Sequence, residues 1–247
     1  MKYDEKQIII EYLAGNTAQS IAKKLGTYNT TIRRILLRNN IVVRNQSESQ
    51  RKVRNPFSDL ASKEVNYWLG ILATDGTIGD KEYLVSLELQ EKDYALVKSF
   101  SNFIKVPKIK PIVYETSACY RVGFKSKECN LFLRNLGITP RKSKTLCCKF
   151  EFTPDFIRGV IDGDGYIRKN KGHIEIATQS TDFKNQLLSW FEKYEIYAKS
   201  RFTNGLWIIG IYKKKYLFKL YDILYKDASI KLERKFNRLY ASLFGNI

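Results

Sequence analysis

Histidines, cysteine pairs and long apolar runs are what this 247-residue sequence lacks. It has one histidine, and none of its cysteines lies in a C-x-x-C pair, which argues against a zinc finger (Cys119, Cys129, Cys147 and Cys148). No apolar run approaches the roughly 18 residues that a membrane helix needs, and the charged N-terminus does not have the pattern of a secretion signal. We therefore expect an intracellular protein, in the cytoplasm, an organelle or a phage-infected cell, that is not secreted and has no membrane partner.

Acidic residues are in the minority. The sequence has 43 Lys and Arg against 25 Asp and Glu, which gives a formal net charge of +18. On a folded surface this charge produces a positive field suited to a polyanion, most often DNA or RNA. An anionic membrane surface or a basic proteome are the alternatives on charge alone. Because 44% of the residues are hydrophobic and 28% charged, we expect a folded chain.

Residues 1–44 have the pattern of three short helices. Apolar residues recur at helical spacing, and Gly26 separates the second helix from a basic third helix. This order is typical of a helix-turn-helix, so we predict a DNA-binding module, with a plain three-helix cap as the alternative. The residues predicted to contact DNA lie around the start of the third helix: Tyr28, Asn29, Thr30, Arg33 and Arg34.

A polar segment follows at residues 45–58, rich in Asn, Gln, Ser, Arg and Lys. Its composition is typical of a linker, and its basic side chains could follow a phosphate backbone. We therefore expect a domain boundary here. The rest of the chain is predicted to form two halves, residues 59–150 and 151–247.

The two halves repeat one pattern. At an offset of 89 residues, six special positions of the first half coincide with the same residue types in the second, which indicates a duplicated unit. The pattern resumes at an offset of 87, where Gly123 meets Gly210 and Lys127 meets Lys214. The pairs at the first offset are Gly70 and Gly159, Asp75 and Asp164, Gly76 and Gly165, Ile78 and Ile167, Gln90 and Gln179, and Asp93 and Asp182.

Each unit has the same predicted order of elements: an apolar helix, a hairpin, a second helix, two more strands and a final helix. The apolar helices are predicted at 62–75 and 153–164, and the hairpins at about 77–90 and 166–179. We therefore predict an α+β fold of two pseudo-symmetric αββαββα halves. Each half is expected to contain one antiparallel four-stranded sheet.

Both apolar helices end in an aspartate, Asp75 or Asp164. Small residues on the helices would let the backbones pack closely across a pseudo-twofold axis (Gly70, Ala73, Gly159 and Gly163). Two acids at the negative ends of neighbouring helices need a compensating cation, and oxygen ligands favour Mg²⁺. We therefore predict a metal site of these aspartates together with Thr74 and Gly163. The alternative is that each Asp-Gly pair only forms a turn.

These motifs resemble those of LAGLIDADG homing endonucleases of the single-chain, two-motif kind, over residues from about 65 to 240. The second motif, 159–165, is a near-complete match, whereas the first has Ala73 where the family has an acid. The resemblance implies a monomer whose two sheets form a saddle over a long, asymmetric site in double-stranded DNA. It also implies metal-dependent cleavage of both strands that leaves 3′ overhangs, as in intron homing, with Asp75 and Asp164 as the catalytic metal ligands.

The resemblance also implies roles for other residues. Gln90 and Gln179 would order solvent near the metals, and Lys127 and Lys214 would lie near the attacking water, although an exposed basic face is the alternative for the lysines. Segments 139–144 and 230–235 resemble stretches that close each half. Residues of the two hairpins would contact DNA: Lys81, Tyr83, Arg168, Lys169, Asn170, Lys171 and His173.

Two other functions remain open at this point. Relatives of this fold can assist intron splicing as RNA maturases, which a splicing assay would detect. A transcriptional regulator with a helix-turn-helix on a nuclease scaffold is the second alternative. Such a regulator is expected to have lost a metal aspartate, whereas both Asp75 and Asp164 are present.

Overall fold

The computed structural model describes residues 3–43, 55–115, 117–168 and 173–245. The chain divides into two units, Met1–Arg54 and Asn55–Ile247. The second unit begins within the predicted linker, because the side chain of Phe57 is fully buried and its ring packs 5.5 Å from that of Phe103. Residues 44–54 of that linker lie outside the described residues. Within the described ranges, no helix is long and apolar enough to span a membrane.

The first unit contains the three predicted helices, α1 (Glu5–Leu13), α2 (Ala18–Lys24) and α3 (Asn29–Arg38). Helix α2 begins with a capping box in which Thr17 and Ser20 each accept a hydrogen bond from the other's backbone amide, which satisfies two otherwise unpaired donors. Gly26 turns the chain between α2 and α3 with a φ of +60°, a conformation that favours glycine. Buried apolar side chains from all three helices form its core (Ile8, Tyr12, Ile21, Ile32, Ile35 and Leu36).

The second unit contains the αββαββα order twice, as predicted. The first half comprises α4 (Lys63–Thr74), β1 (Gly76–Ile78), β2 (Leu84–Gln90), α5 (Tyr94–Phe103), β3 (Lys110–Val113), β4 (Ala118–Lys125) and α6 (Lys127–Asn135). The second half comprises α7 (Pro154–Asp164), β5 (Gly165–Ile167), β6 (Ile174–Thr178), α8 (Thr181–Lys193), β7 (Lys199–Thr203), β8 (Leu206–Ile211) and α9 (Lys214–Tyr225). A further helix, α10 (Glu233–Phe244), follows the second copy.

Both sheets are antiparallel, with strand orders β1-β2-β4-β3 and β5-β6-β8-β7. Their registers show the duplication directly. Gly76 pairs with Leu87, and Gly165 pairs with Ile176, which are the positions that the 89-residue offset relates. Gly123 and Gly210 likewise occupy corresponding places in the fourth strand of each half. Gly123 pairs with Ser86 and Gly210 pairs with Glu175, so the two registers are equivalent and the change of offset falls between the paired strands.

Helices α4 and α7 cross at Gly70 and Gly159. A Cβ atom on Gly70 would overlap the carbonyl oxygen of Phe156, and one on Gly159 would overlap that of Tyr67. Any larger residue at either position would therefore push the backbones apart. Since Gly163 lies against Thr74 further along the pair, the helices run in the same direction and their C-terminal ends adjoin.

Candidate active site

The two aspartates lie at these adjoining helix ends. Asp75 is the residue after α4, and Asp164 is the last residue of α7. A Cβ on Gly163 would lie only 3.2 Å from Oδ2 of Asp75, so the Asp75 carboxylate reaches the end of the opposite helix. The structure therefore brings together the two acids that the repeat singled out, and Gly163 allows their approach.

Both carboxylates are electrostatically unfavourable where they lie. Asp164 is an exposed residue, but the protein around its carboxylate and the neighbouring charge of Asp75 together raise its pKa to about 6. Burial also raises the pKa of Asp75, although its carboxylate is only half-buried. The negative ends of the two helix dipoles add to this cost. The arrangement favours a cation between the carboxylates.

Two lysines reach this place from the chain segments that close the halves. The Lys235 ammonium donates hydrogen bonds to the carbonyl oxygens of Gly163 (2.6 Å) and Ile161 (3.0 Å), at the end of α7. The Lys142 ammonium donates to the carbonyl oxygen of Gly76, directly after Asp75. Both lysines lower the pKa of both aspartates, and burial lowers the pKa of Lys235 to about 8 and also lowers that of Lys142.

Sequence reasoning did not identify these lysines, although both belong to the segments noted at 139–144 and 230–235. The available signal was the Arg-Lys pair that occurs in each segment, Arg141-Lys142 and Arg234-Lys235. The predicted lysines lie elsewhere: Lys127 and Lys214 are exposed first residues of α6 and α9. Their ammonium groups lie 5.8 and 5.5 Å from the ring centres of Tyr83 and Phe218. A catalytic role for these two remains a prediction.

Asp162 is a second acid of the second motif, and it is fully inside the protein. Its carboxylate accepts hydrogen bonds from the hydroxyl groups of Tyr67 (2.9 Å) and Tyr225 (3.2 Å) and from the backbone amide of Leu232 (2.7 Å). Burial raises the pKa of Asp162 to about 6, while the Leu232 amide and the Tyr67 hydroxyl act to lower it. These contacts tie both motif helices to the segment that carries Lys235.

The side chains at the helix ends offer a hard cation few ligands, but these ligands are carboxylate oxygens. No cluster of three or more His, Cys, Asp and Glu side chains occurs in the described part of the chain, and Asp75 and Asp164 are the acidic side chains at these helix ends. The Thr74 hydroxyl donates to carbonyl oxygens of its own helix, and the Gly163 carbonyl oxygen accepts from Lys235. Two carboxylates with water and phosphate oxygens suit Mg²⁺, which keeps several waters and needs few protein ligands.

The other predicted contact residues are distributed over strand ends and hairpins. Gln90 ends β2, Gln179 follows β6, and both are exposed. Lys81 and Arg168 are exposed, whereas Tyr83 and His173 are half-buried. Lys169, Asn170 and Lys171 lie outside the described residues. In the first unit, all of the predicted DNA-contacting residues are exposed around the start of α3 (Tyr28, Asn29, Thr30, Arg33 and Arg34).

A polar network occupies one face of the second sheet. The carboxylate of Glu175 accepts hydrogen bonds from Arg201 (3.0 Å) and from the hydroxyl of Tyr212 (2.7 Å), and Arg201 also donates to that hydroxyl (2.6 Å). These residues line a cavity of about 610 Å³ together with Arg168 and Lys199. The face therefore presents fixed donors and positive charge, which suits contact with a nucleic acid.

Two family models match the halves separately. A LAGLIDADG-like domain matches residues 151–224, and a WhiA LAGLIDADG-like domain matches residues 64–142. The chain therefore contains two LAGLIDADG-like domains, one in each half of its second unit. No curated protein sequence matches the chain.

Solved structures with the same fold include a homing endonuclease and a meganuclease. I-WcaI bound to its DNA recognition sequence is 15% identical, with 81% of this chain and 91% of that chain covered and a TM-score of 0.56. The meganuclease I-SmaMI bound to uncleavable DNA is 12% identical, with 78% and 90% covered and a TM-score of 0.50. The chain has the LAGLIDADG homing endonuclease fold. At these identities, the likeness establishes the fold alone.

Proposed function

We propose that the protein is a site-specific DNA endonuclease that cuts both strands of a long, asymmetric duplex target as a monomer and leaves 3′ overhangs. The observation that carries the proposal is the position of Asp75 and Asp164. The two carboxylates adjoin at the ends of paired helices, where burial raises the pKa of each. Raised pKa values of paired carboxylates are typical of functional sites, because such a pair does not stabilise the fold.

Asp75 and Asp164 would hold Mg²⁺, with the backbone carbonyl groups of Thr74 and Gly163 as further candidate ligands. When bound, the metal neutralises charge on the phosphate and lowers the pKa of a coordinated water. The protein's own part is to fix the two carboxylates through the Gly70 and Gly159 crossing. The single histidine leaves proton transfer to water, carboxylates or lysines.

Lys142 and Lys235 would stabilise negative charge that develops on the phosphate in the transition state. Both ammonium groups are anchored by carbonyl oxygens beside the aspartates, and burial lowers the pKa of each. A fixed cation in a partly dry site stabilises such charge more than a mobile surface cation does. They are therefore stronger candidates for this role than Lys127 and Lys214, which lie exposed at helix starts.

The open sheet faces would read the duplex, and the N-terminal helices would add affinity. The second sheet offers Arg201 and Tyr212 held by Glu175, and the net charge of +18 supplies attraction to phosphates. A helix-turn-helix in the first unit would place the exposed start of α3 in the major groove.

The test separates binding from cleavage. Duplexes are selected from a random library by binding in the presence of a chelator, and the enriched duplex is then incubated with Mg²⁺. We expect cuts at one position in each strand, only after the metal is added, with 3′ overhangs when the ends are sequenced. Specific binding without any cut under these conditions would refute the endonuclease assignment.

One observation favours a second candidate. The first half matches a WhiA LAGLIDADG-like domain, and Ala73 stands in that half where the second motif has Asp162. A DNA-binding regulator built on the nuclease scaffold is therefore the alternative. The same selection distinguishes the two, because a regulator would bind its duplex without cutting it when Mg²⁺ is added.

A further inference from the structure

The two site lysines are held very differently. Lys235 donates to two carbonyl oxygens of α7, and its neighbours in the chain are fixed as well. The backbone amide of Leu232 donates to the buried carboxylate of Asp162, and Arg234 forms an ion pair with Asp93. Lys142, in contrast, donates to one carbonyl oxygen, that of Gly76.

The ion pair of Arg234 joins the two halves of the repeat. Its Nε and Nη2 donate to the two carboxylate oxygens of Asp93 at 2.7 and 2.8 Å, and Asp93 is buried at the start of α5 in the first half. A two-point contact of this kind fixes the direction of the guanidinium as well as its distance. The segment that carries Lys235 is thus anchored by a residue of the other half.

Asp162 provides the second anchor. Its carboxylate holds the Leu232 amide while it accepts from Tyr67 of α4 and Tyr225 of α9. A buried carboxylate is stable only when its oxygens accept hydrogen bonds. The position of the segment that contains Leu232 is therefore coupled to the positions of the two tyrosines.

The first half has neither anchor. Ala73 occupies the position that corresponds to Asp162, and Phe156 corresponds to Tyr67 without a hydroxyl group. Asp182, the counterpart of Asp93, is exposed and forms no ion pair with any residue that the structure describes. Arg141, which precedes Lys142, is also exposed and has a left-handed backbone with a φ of 53°.

We propose that Asp93 and Asp162 are positioning residues that fix Lys235 beside the aspartates, and that the lack of counterparts around Lys142 makes the two strand cuts unequal in rate. The second part rests on the proposed endonuclease function. In each cut, a water oxygen bonds to phosphorus and loses a proton, one P–O ester bond breaks, and the departing oxygen gains a proton. A cation already in place lowers this barrier without reorganisation, so the strand served by Lys235 is cut first.

The matched pair of variants is Asp93→Asn and Asp182→Asn, which make the same change at repeat-related positions. The first readout is hydrogen exchange of residues 230–236 in the free protein, which needs no cleavage. Asp93→Asn should raise this exchange several-fold and leave residues 139–145 unchanged, whereas Asp182→Asn should change neither. Asp93→Glu, which keeps the charge, should restore part of the protection.

The second readout is single-turnover cleavage of a selected duplex with each strand labelled separately. Wild-type protein should accumulate a nicked intermediate. Asp93→Asn should slow the faster strand about tenfold and leave the other within about twofold, and Asp182→Asn should leave both within about twofold. If Asp93→Asn does not fold, Arg234→Lys keeps the charge, loses the two-point contact and should show the same pattern.

Unchanged exchange in Asp93→Asn and Arg234→Lys would overturn the positioning role. Equal slowing of both strands, or the same effects in Asp182→Asn, would overturn the asymmetry. Wild-type protein that binds its duplex but cuts neither strand would overturn the proposed function, and the exchange experiment would still decide the positioning role by itself.

Discussion

Lys235 donates a 2.6 Å hydrogen bond to the carbonyl oxygen of Gly163, the residue directly before Asp164. A positive group is thereby placed at the negative end of α7, where the helix dipole and a carboxylate both attract it. Because the same carbonyl belongs to a candidate metal ligand, the lysine and the metal would share one helix end.

Asp75→Asn and Asp164→Asn should each abolish double-strand cleavage. An amide has no charge with which to hold a divalent cation between the helices, although it fills the same space. DNA affinity should change little, because neither aspartate contributes attraction to phosphate. The measurement is gel-based cleavage and binding of one selected duplex. Full cleavage by either variant would show that the metal assignment is wrong.

The same substitutions should stabilise the metal-free protein at neutral pH. Burial raises the pKa of Asp164 from 3.8 to about 6, so between these pH values the folded protein holds a proton that the unfolded chain has released. The resulting cost to stability grows as pH rises through this window and is fully present above about pH 6. Asp164→Asn removes this cost, which should raise the free energy of unfolding by about 1 kcal/mol once solvent screening of the exposed Asp164 is allowed for.

Thermal unfolding at pH 7 with a chelator measures this effect. A rise of about 2–4 °C in the midpoint is expected for Asp164→Asn, and the difference from wild type should shrink as the pH is lowered from 6 to 4. Mg²⁺ should raise the midpoint of the wild type and not that of the variant, since a ligand stabilises only a state that binds it. A variant less stable than wild type at pH 7 would contradict the electrostatic argument.

Lys142→Met and Lys235→Met should slow single-turnover cleavage by about tenfold or more, equivalent to about 1.4 kcal/mol in the barrier. The methionine keeps most of the stem and removes the charge beside the aspartates. Lys127→Met and Lys214→Met are the matched controls, because both side chains are exposed at helix starts. A larger effect in the controls would restore the roles that the sequence predicted for Lys127 and Lys214.

The duplicated unit and its two aspartates could be predicted from the sequence because the 89-residue offset keeps Gly70, Asp75 and their counterparts aligned. The site lysines were missed, although each follows an arginine, because the segments between the fourth strand and the lysine differ in length between the halves and no constant offset relates them. Their partners are also backbone carbonyl oxygens, which leave no pattern in side chains. The role of Asp162 was missed for a different reason. Ala73 stands at the repeat-related position of the first half, so the repeat does not single out Asp162. Its partner Leu232 contributes only a backbone amide.

DNA binding should weaken steeply with salt. A net charge of +18 implies many phosphate contacts, and each releases a counterion, so log affinity falls by roughly 0.9 per contact for each decade of salt. Arg201→Gln should reduce this slope by about one if the network on the second sheet reaches a phosphate, and Arg134→Gln, whose guanidinium donates to Gly79 and Asp80, should not. Fluorescence anisotropy from low to moderate salt measures both. If the affinity of the wild-type protein does not change with salt, its positive charge does not contact the DNA phosphates.

The N-terminal unit should add affinity without taking part in cleavage. Arg33 and Arg34 are exposed on α3, and their side chains are not needed for the unit's core of Ile8, Ile21 and Leu36. The double substitution Arg33→Ala, Arg34→Ala should therefore weaken binding about tenfold or more and shorten the protected footprint at one end. Cleavage should return to the wild-type rate at saturating protein, since Asp75 and Asp164 belong to the other unit.

Lys23→Ala, which removes an exposed charge from the end of α2, is the control and should leave the footprint unchanged. If the double variant binds as tightly as wild type, the three helices are a cap with a basic face. If saturating protein fails to restore cleavage, the unit acts within the reaction itself and is more than an accessory.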